Sequence, residues 1–214
     1  MKVKWLGHAC FLITSAGGLR IITDPYKTGA GLDYKPINEK ADIVTVSHDH
    51  ADHNNTAAVS GQPQVVRTAG AKEVKEIKFK GVATYHDESR GKQRGTNIIF
   101  CFTLDGINLC HLGDLGHRLS PEEFAQIGQV DVLLTPVGGF YTIDARAAND
   151  VCQQLKPKVV IPMHYKTDKC AYPIATVEEF LKGRTPLRRL DSSEVDLQAD
   201  KLPSDETLVL KHAL

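Results

Sequence analysis

Short runs of apolar and β-branched residues broken by glycine dominate the first half of the chain. Val3–Leu6, Cys10–Thr14 and Leu19–Thr23 predict three strands, with Ala16-Gly17-Gly18 as a hairpin turn. Asp42–Ser47 is nearly all apolar, the pattern of a strand covered on both faces. Val65–Arg67, Glu73–Phe79 and Gly81–His86 continue the β pattern. Thr96–Leu104 and Ile107–Leu112 flank Asp105-Gly106, a second hairpin signal. The second half alternates strands with helices. Ser120-Pro121-Glu122-Glu123 starts a short helix that ends near Ile127. Asp144 to Leu155 predicts a longer helix, and Thr176–Leu181 opens another with Glu179 as its capping-box acid. Val130–Thr135, Lys158–Pro162, Leu187–Leu190 and Thr207–Lys211 read as strands. No repeat or low-complexity tract interrupts the pattern, which by itself supports a chain of mixed α and β class.

Composition narrows the picture. The 214 residues suit one domain spanning 1–214 and can bury a core without disulfides. The chain is 42% hydrophobic and 24% charged, ordinary for a globular protein. Lys+Arg and Asp+Glu both number 26, so no bulk charge draws it to nucleic acid or an anionic membrane. The five cysteines are odd in number and show no CxxC spacing, which argues against a disulfide scaffold or a zinc ribbon. MKVKWLGHACF at the N-terminus has neither a long apolar run nor a small-residue cleavage pattern, and no window approaches bilayer length. A cytoplasmic protein is the expectation; its oligomeric state, a homo-oligomer included, stays open.

The strongest chemical signal is Ser47-His48-Asp49-His50-Ala51-Asp52-His53, placed directly after the apolar strand and before the polar helix start Asn54-Asn55-Thr56. Imidazole and carboxylate are ligands of zinc and related divalent ions. In extended chain, His48 and His50 point the same way. A following turn into helix would redirect Asp52 and His53 to a second point, so one loop can serve two metals. Other candidates stand at strand ends: Asp24, His86, Asp114 and His164.

With those positions in place, the chain resembles the metallo-β-lactamase superfamily, through HxHxDH followed by a later His, a Gly-Asp after a strand, and a last His. More narrowly it is similar to the ascorbate-6-phosphate-lactonase-like branch of metal-dependent hydrolases. The residues behind this are Gly7-His8-Ala9-Cys10, Thr23-Asp24-Pro25, His111-Leu112-Gly113-Asp114 and Pro162-Met163-His164-Tyr165, over about residues 1–170. The resemblance implies an α/β fold, a four-layer αββα sandwich of two mixed sheets flanked by helices. It implies two divalent ions, zinc or manganese foremost. His48, His50 and His86 would hold one, and Asp52, His53 and His164 the other. Asp114 would bridge them, and Asp24 would orient the His loop from behind. His8 either faces substrate or assists a proton transfer, or is a structural histidine beside a glycine turn. His111 and His117, which flank Asp114, read as groups that support the ligands from behind or as structural ones.

After His86 comes Asp87-Glu88-Ser89-Arg90-Gly91-Lys92-Gln93-Arg94-Gly95-Thr96-Asn97, a polar loop with three cations. Arg90, Lys92 or Arg94 could meet an anionic substrate. Tyr141, in Gly138-Gly139-Phe140-Tyr141-Thr142, could donate to a developing oxyanion. The expected activity is hydrolysis of an ester, lactone or phosphoester bond in a small anionic substrate, with Asp52, Asp114 and His8 as the catalytic candidates. The alternatives are a phosphodiesterase or nuclease of the same fold, an iron redox protein, and a non-catalytic metal-dependent sensor.

Overall fold

A computed structural model describes residues 1–214. β1 (Lys2–Gly7), β2 (Cys10–Thr14) and β3 (Arg20–Thr23) form an antiparallel meander, with the Gly18 amide closing the turn on the Ser15 carbonyl at 3.0 Å. β4 (Ile43–Thr45) and β5 (Gln64–Val66) then add in parallel beside β3. A second antiparallel run is made by β6 (Gly70–Val74), β7 (Ile77–Tyr85), β8 (Thr96–Leu104) and β9 (Ile107–His111). The Asp105-Gly106 hairpin is present, both residues at positive φ (50° and 76°) as its turn type requires. Glu73–Phe79, which reads as one strand, is instead broken by a hairpin. Lys75 and Glu76 turn at φ 48° and 66° between β6 and β7. Neither is a usual turn residue, so pairing along the strands, and not turn chemistry, fixes this reversal.

The remaining elements are α1 (Pro121–Ile127), β10 (Val132–Pro136), α2 (Ala145–Leu155), β11 (Val159–Met163), α3 (Val177–Leu181), β12 (Leu187–Arg189), β13 (Glu194–Asp196) and β14 (Glu206–Val209). β10, β11, β14 and β12 extend β9 in parallel, giving an eight-stranded mixed sheet. β13 crosses to β1 and completes a six-stranded one. Sequence patterning does not signal β13, which is short and only partly buried. α1 carries the expected capping box: Ser120 Oγ accepts from the Glu123 amide, and Glu123 accepts from the Ser120 amide. α3 departs from expectation, because Thr176 makes no capping bond and Glu179 takes the Lys182 ammonium at 2.7 Å.

Period-two alternation decides how the sheets stack. Val3, Trp5, Phe11, Ile13, Ile21 and Ile43 join the main core of 45 buried residues, together with the eight-stranded sheet and the inner faces of all three helices. Large-to-small truncation of a buried ring here, such as Phe100, costs about 3–5 kcal/mol. Their strand neighbours Leu6, Cys10, Leu12, Ile22 and Val44 face the other way, against Tyr26, Leu32, Tyr34 and Ile37. The two mixed sheets with flanking helices are therefore as expected, but residues 24–41 cover the six-stranded sheet with irregular chain. The helix start expected at Asn54-Asn55-Thr56 yields only a 3-10 turn, Thr56–Ala58. Asn55 is tied instead to the Pro25 and Tyr26 carbonyls, at 2.8 and 3.1 Å. Gly61 and Pro63 soon follow and favour no helix.

The consequence for the site is directional. β4, β7, β9 and β11 all end at one edge of the sandwich, so the residues that follow them meet there.

Candidate metal centre

Seven side chains from both sheets converge at that edge. His48, His50, Asp52 and His53 lie on the loop after β4. His86 follows β7, Asp114 follows β9 and His164 follows β11. Asp114 is the hub. One of its oxygens, Oδ2, lies 3.2 Å from His53 Nε2, 3.2 Å from His86 Nε2 and 3.3 Å from His164 Nε2, with His48 Nε2 at 3.9 Å. Glycine before Asp114 is a local necessity. A Cβ on Gly113, at φ 56°, would overlap Asn97 Oδ1 and the Ser47 side chain. Asn97 Oδ1 in turn accepts from the Asp114 amide at 2.9 Å.

Around this hub the donor atoms fall into two groups. His48, His50 and His86 form one, with His48 Nε2 and His50 Nδ1 3.0 Å apart. Asp52, His53, His164 and His8 form the other. Asp24 sits beneath both at 0% exposure. Its Oδ2 accepts from His53 Nδ1 at 2.9 Å, and its Oδ1 accepts from the Ser47 amide at 2.8 Å. Ser47 Oγ contacts His48 Nδ1 at 2.9 Å, so one carboxylate orients a ring from each group.

The electrostatics of this cluster call for a cation. Burial lowers His48 to about 3, and the charge of His53 pushes it the same way. Burial also brings His8 down to about 4. Burial would lower His53 too, but Asp114, Asp52 and Asp24 outweigh it and hold its proton well above the usual range. Burial would raise Asp114 and Asp52; the neighbouring imidazoles outweigh it and keep both ionised. Three carboxylates, Asp24, Asp52 and Asp114, thus crowd the His53 ring. Asp114 Oδ1 is buried without a hydrogen-bond partner. An unpartnered oxygen of this kind, with imidazole and carboxylate chemistry around it, fits divalent metal ions.

His8 does not face solvent. It is 0% exposed, its Nε2 lies 3.2 Å from Asp52 Oδ2, and its ring packs 4.0 Å from that of His164. The ring thus meets Asp52 and is not among the residues lining the cavity over the cluster. His111 Nε2 donates to the Ala9 carbonyl at 2.9 Å, and His117 accepts from the Tyr85 amide while donating to the Arg118 carbonyl. Neither lines the cavity over the cluster.

The cavity over the cluster is about 360 Å³ and is lined by His50, Asp52, His86, Gln93, Arg94, Asp114, Tyr141, His164 and Tyr172. Arg94 and Tyr141 are thus brought together, the guanidinium carbon 5.7 Å from the ring centre. Arg90 is not among them. At φ 59° it turns into a neighbouring cleft with His117, Glu122 and Glu123, which corrects the expectation that it meets substrate at the metals. Lys92 is exposed and lines neither space. Sequence reasoning missed Tyr172 and Gln93. Tyr172 stands beyond His164, the last histidine of the cluster, with no motif around it, and its ring meets Tyr141 at 5.7 Å.

Comparison with known proteins gives the family. Residues 2–164 match the family described as a β-lactamase superfamily domain. A UPF0173 metal-dependent hydrolase of Carboxydothermus hydrogenoformans is 33% identical over 214 residues, covering 86% of this chain and 92% of its own. One of Pyrococcus abyssi is 35% identical over 195 residues, covering 78% and 85%. A crystal structure from Thermotoga maritima, described as that of a putative Zn-dependent hydrolase of the metallo-β-lactamase superfamily, superposes with a TM-score of 0.80 at 40% identity, covering 98% of this chain and 99% of that one. The chain belongs to the metallo-β-lactamase superfamily and is a metal-dependent hydrolase.

Proposed function

We propose that the chain works through a binuclear centre and hydrolyses an ester, lactone or phosphoester bond of a small anionic substrate. His48, His50 and His86 would hold one ion, Asp52, His53 and His164 the other, and Asp114, between the two groups, would serve both. The observation that carries this reading is the set of three imidazole nitrogens within 3.3 Å of one Asp114 oxygen, fed from both sheets. Zinc or manganese suits a His and Asp donor set without cysteine, and zinc is named for the Thermotoga maritima relative. The lactonase-like branch is favoured by Gly7-His8-Ala9-Cys10, which puts His8 against Asp52. Five free cysteines are in keeping with a reducing compartment, the cytoplasm.

When bound, two divalent ions supply a hydroxide nucleophile near neutral pH and polarise the scissile group. The protein's own groups do the rest. Asp52, 21% exposed at its side chain and hydrogen-bonded to His8, accepts the proton released on attack. Tyr141 donates to the developing oxyanion, and Arg94 receives the anionic group of the substrate. The aromatic wall of Tyr141 and Tyr172 bounds a space sized for a small molecule and not for a polymer.

The test is metal content by element-resolved mass spectrometry, beside His48→Ala, followed by a panel of lactones, phosphomonoesters and phosphodiesters. Two metals per chain, falling in the variant, with turnover of one class, is the expected result. Two metals with no turnover across the panel would move the reading to a metal-dependent sensor, and one metal per chain would remove the binuclear scheme.

A further inference from the structure

The loop after His86 is wound around one carboxylate. Asp87 is 4% exposed, and its two oxygens collect four backbone amides. Oδ1 accepts from Ser89 at 2.7 Å and Gly91 at 3.0 Å; Oδ2 accepts from Gln93 at 3.0 Å and Arg94 at 2.8 Å. The Gly95 amide then bonds the Gly91 carbonyl, and the Gly95 carbonyl takes the His86 amide, each at 3.0 Å. Gly91, at φ 78°, is required here, since a Cβ would come within 2.8 Å of the Gly95 carbonyl oxygen. The loop is therefore closed back onto a residue of the metal cluster, and its final amide bond to Asp87 is made by Arg94 itself.

That winding delivers a guanidinium with nothing acidic to hold. Arg94 rests over Tyr141 and lines the metal cavity, yet no carboxylate lies within ion-pair distance of it. The acids lining this cavity are Asp52 and Asp114, both engaged with imidazoles, and Arg94 forms no ion pair with Asp87, Glu88 or Asp144 of the adjoining cleft that it also lines. A free guanidinium beside a cationic centre is repelled by it until an anion comes between them. A planar fork of donors suits a carboxylate or phosphate group, and stacking on an aromatic ring fixes its plane.

We propose that Asp87 is a positioning residue for substrate selection. By gathering the four amides it holds Arg94, with Gln93 beside it, at the cavity rim, where the guanidinium binds a carboxylate or phosphate carried by the substrate a few bonds from the scissile group. This rests on the hydrolase reading above and adds which chain features choose the anionic substrate.

The test uses metal-loaded protein and two esters with one leaving group, p-nitrophenyl acetate and p-nitrophenyl hemisuccinate, which differ in a distal carboxylate. Succinate binding is measured alongside by calorimetry. In Asp87→Asn the ratio of kcat/KM for hemisuccinate over acetate is expected to fall about tenfold or more, the size of one charge-assisted hydrogen bond, mainly through KM. Arg94→Ala should lower it as far, Arg94→Lys should recover part, and the double variant should be no worse than Arg94→Ala, because both changes remove one interaction. Asp87→Glu, which keeps the charge but displaces the oxygens, serves if Asp87→Asn is insoluble and should show the same fall. The proposal is overturned if Asp87→Asn lowers both esters equally, if the double variant is additive, or if Asp87→Asn sheds metal. If the wild-type protein turns over neither ester, the hydrolase reading is at fault, and succinate affinity decides alone: weakening in both single variants supports the assignment, and no change in Asp87→Asn overturns it.

Discussion

Two loops meet over the cavity, and a buried aspartate organises each in a different way. Beneath residues 48–53, Asp24 takes one backbone amide, that of Ser47, but works chiefly through side chains, gripping His53 directly and reaching His48 through the Ser47 hydroxyl. Within residues 87–95, Asp87 works through backbone amides and touches no other side chain by hydrogen bond. The first arrangement sets the direction and charge of ligand rings. The second sets the path of the chain and leaves its side chains free. A buried carboxylate can thus tune chemistry or dictate shape, and the kind of donor it collects tells which.

The contrast is broken most severely at the hub. Asp114→Ala should abolish tight binding of at least one ion, beyond the roughly 10–100-fold loss typical of an outer partner, as read by metal titration. Full metal retention would remove Asp114 from the bridging role. Chelation comes next. Removing an ion held at about 100 times its Kd should cost about 2.7 kcal/mol of stability. Amide exchange should rise in residues 48–53 and stay unchanged in residues 88–94, which Asp87 holds without metal. Equal loosening of both loops would end the distinction. Asp24→Asn should weaken metal binding about 10–100-fold while leaving the exchange of residues 88–94 as it was. The smallest effect serves as a control: Ser120→Ala removes the capping box of α1, and should cost about 1 kcal/mol in thermal unfolding with metal content unchanged.

Much of the centre was legible because its ligands sit where patterning is strongest, at the ends of apolar strands. His48 to His53, His86, Asp114 and His164 each follow such a run. What escaped was held by backbone geometry. The Lys75-Glu76 reversal is imposed by strand pairing, and the missing helix after Asn55 is lost to carbonyls of Pro25 and Tyr26, distant in sequence. Arg90 and Arg94 look equivalent as letters, yet a left-handed φ at Arg90 turns it to another cleft. Tyr172 reaches the cavity only because residues 166–175 fold back there, with the Ala171 amide on the Gly31 carbonyl and Ala175 on Gly138.

The supply of ligands from both sheets has a further meaning for the chain as a polymer. Residues 48–53 belong to the six-stranded sheet, and His86, Asp114 and His164 to the eight-stranded one. Ions bound among them would act as non-covalent cross-links, closing loops that run through much of the sequence. Cross-links of this length remove conformational freedom from the unfolded ensemble. The centre that makes the protein an enzyme would then also be a clasp holding its two sheets face to face.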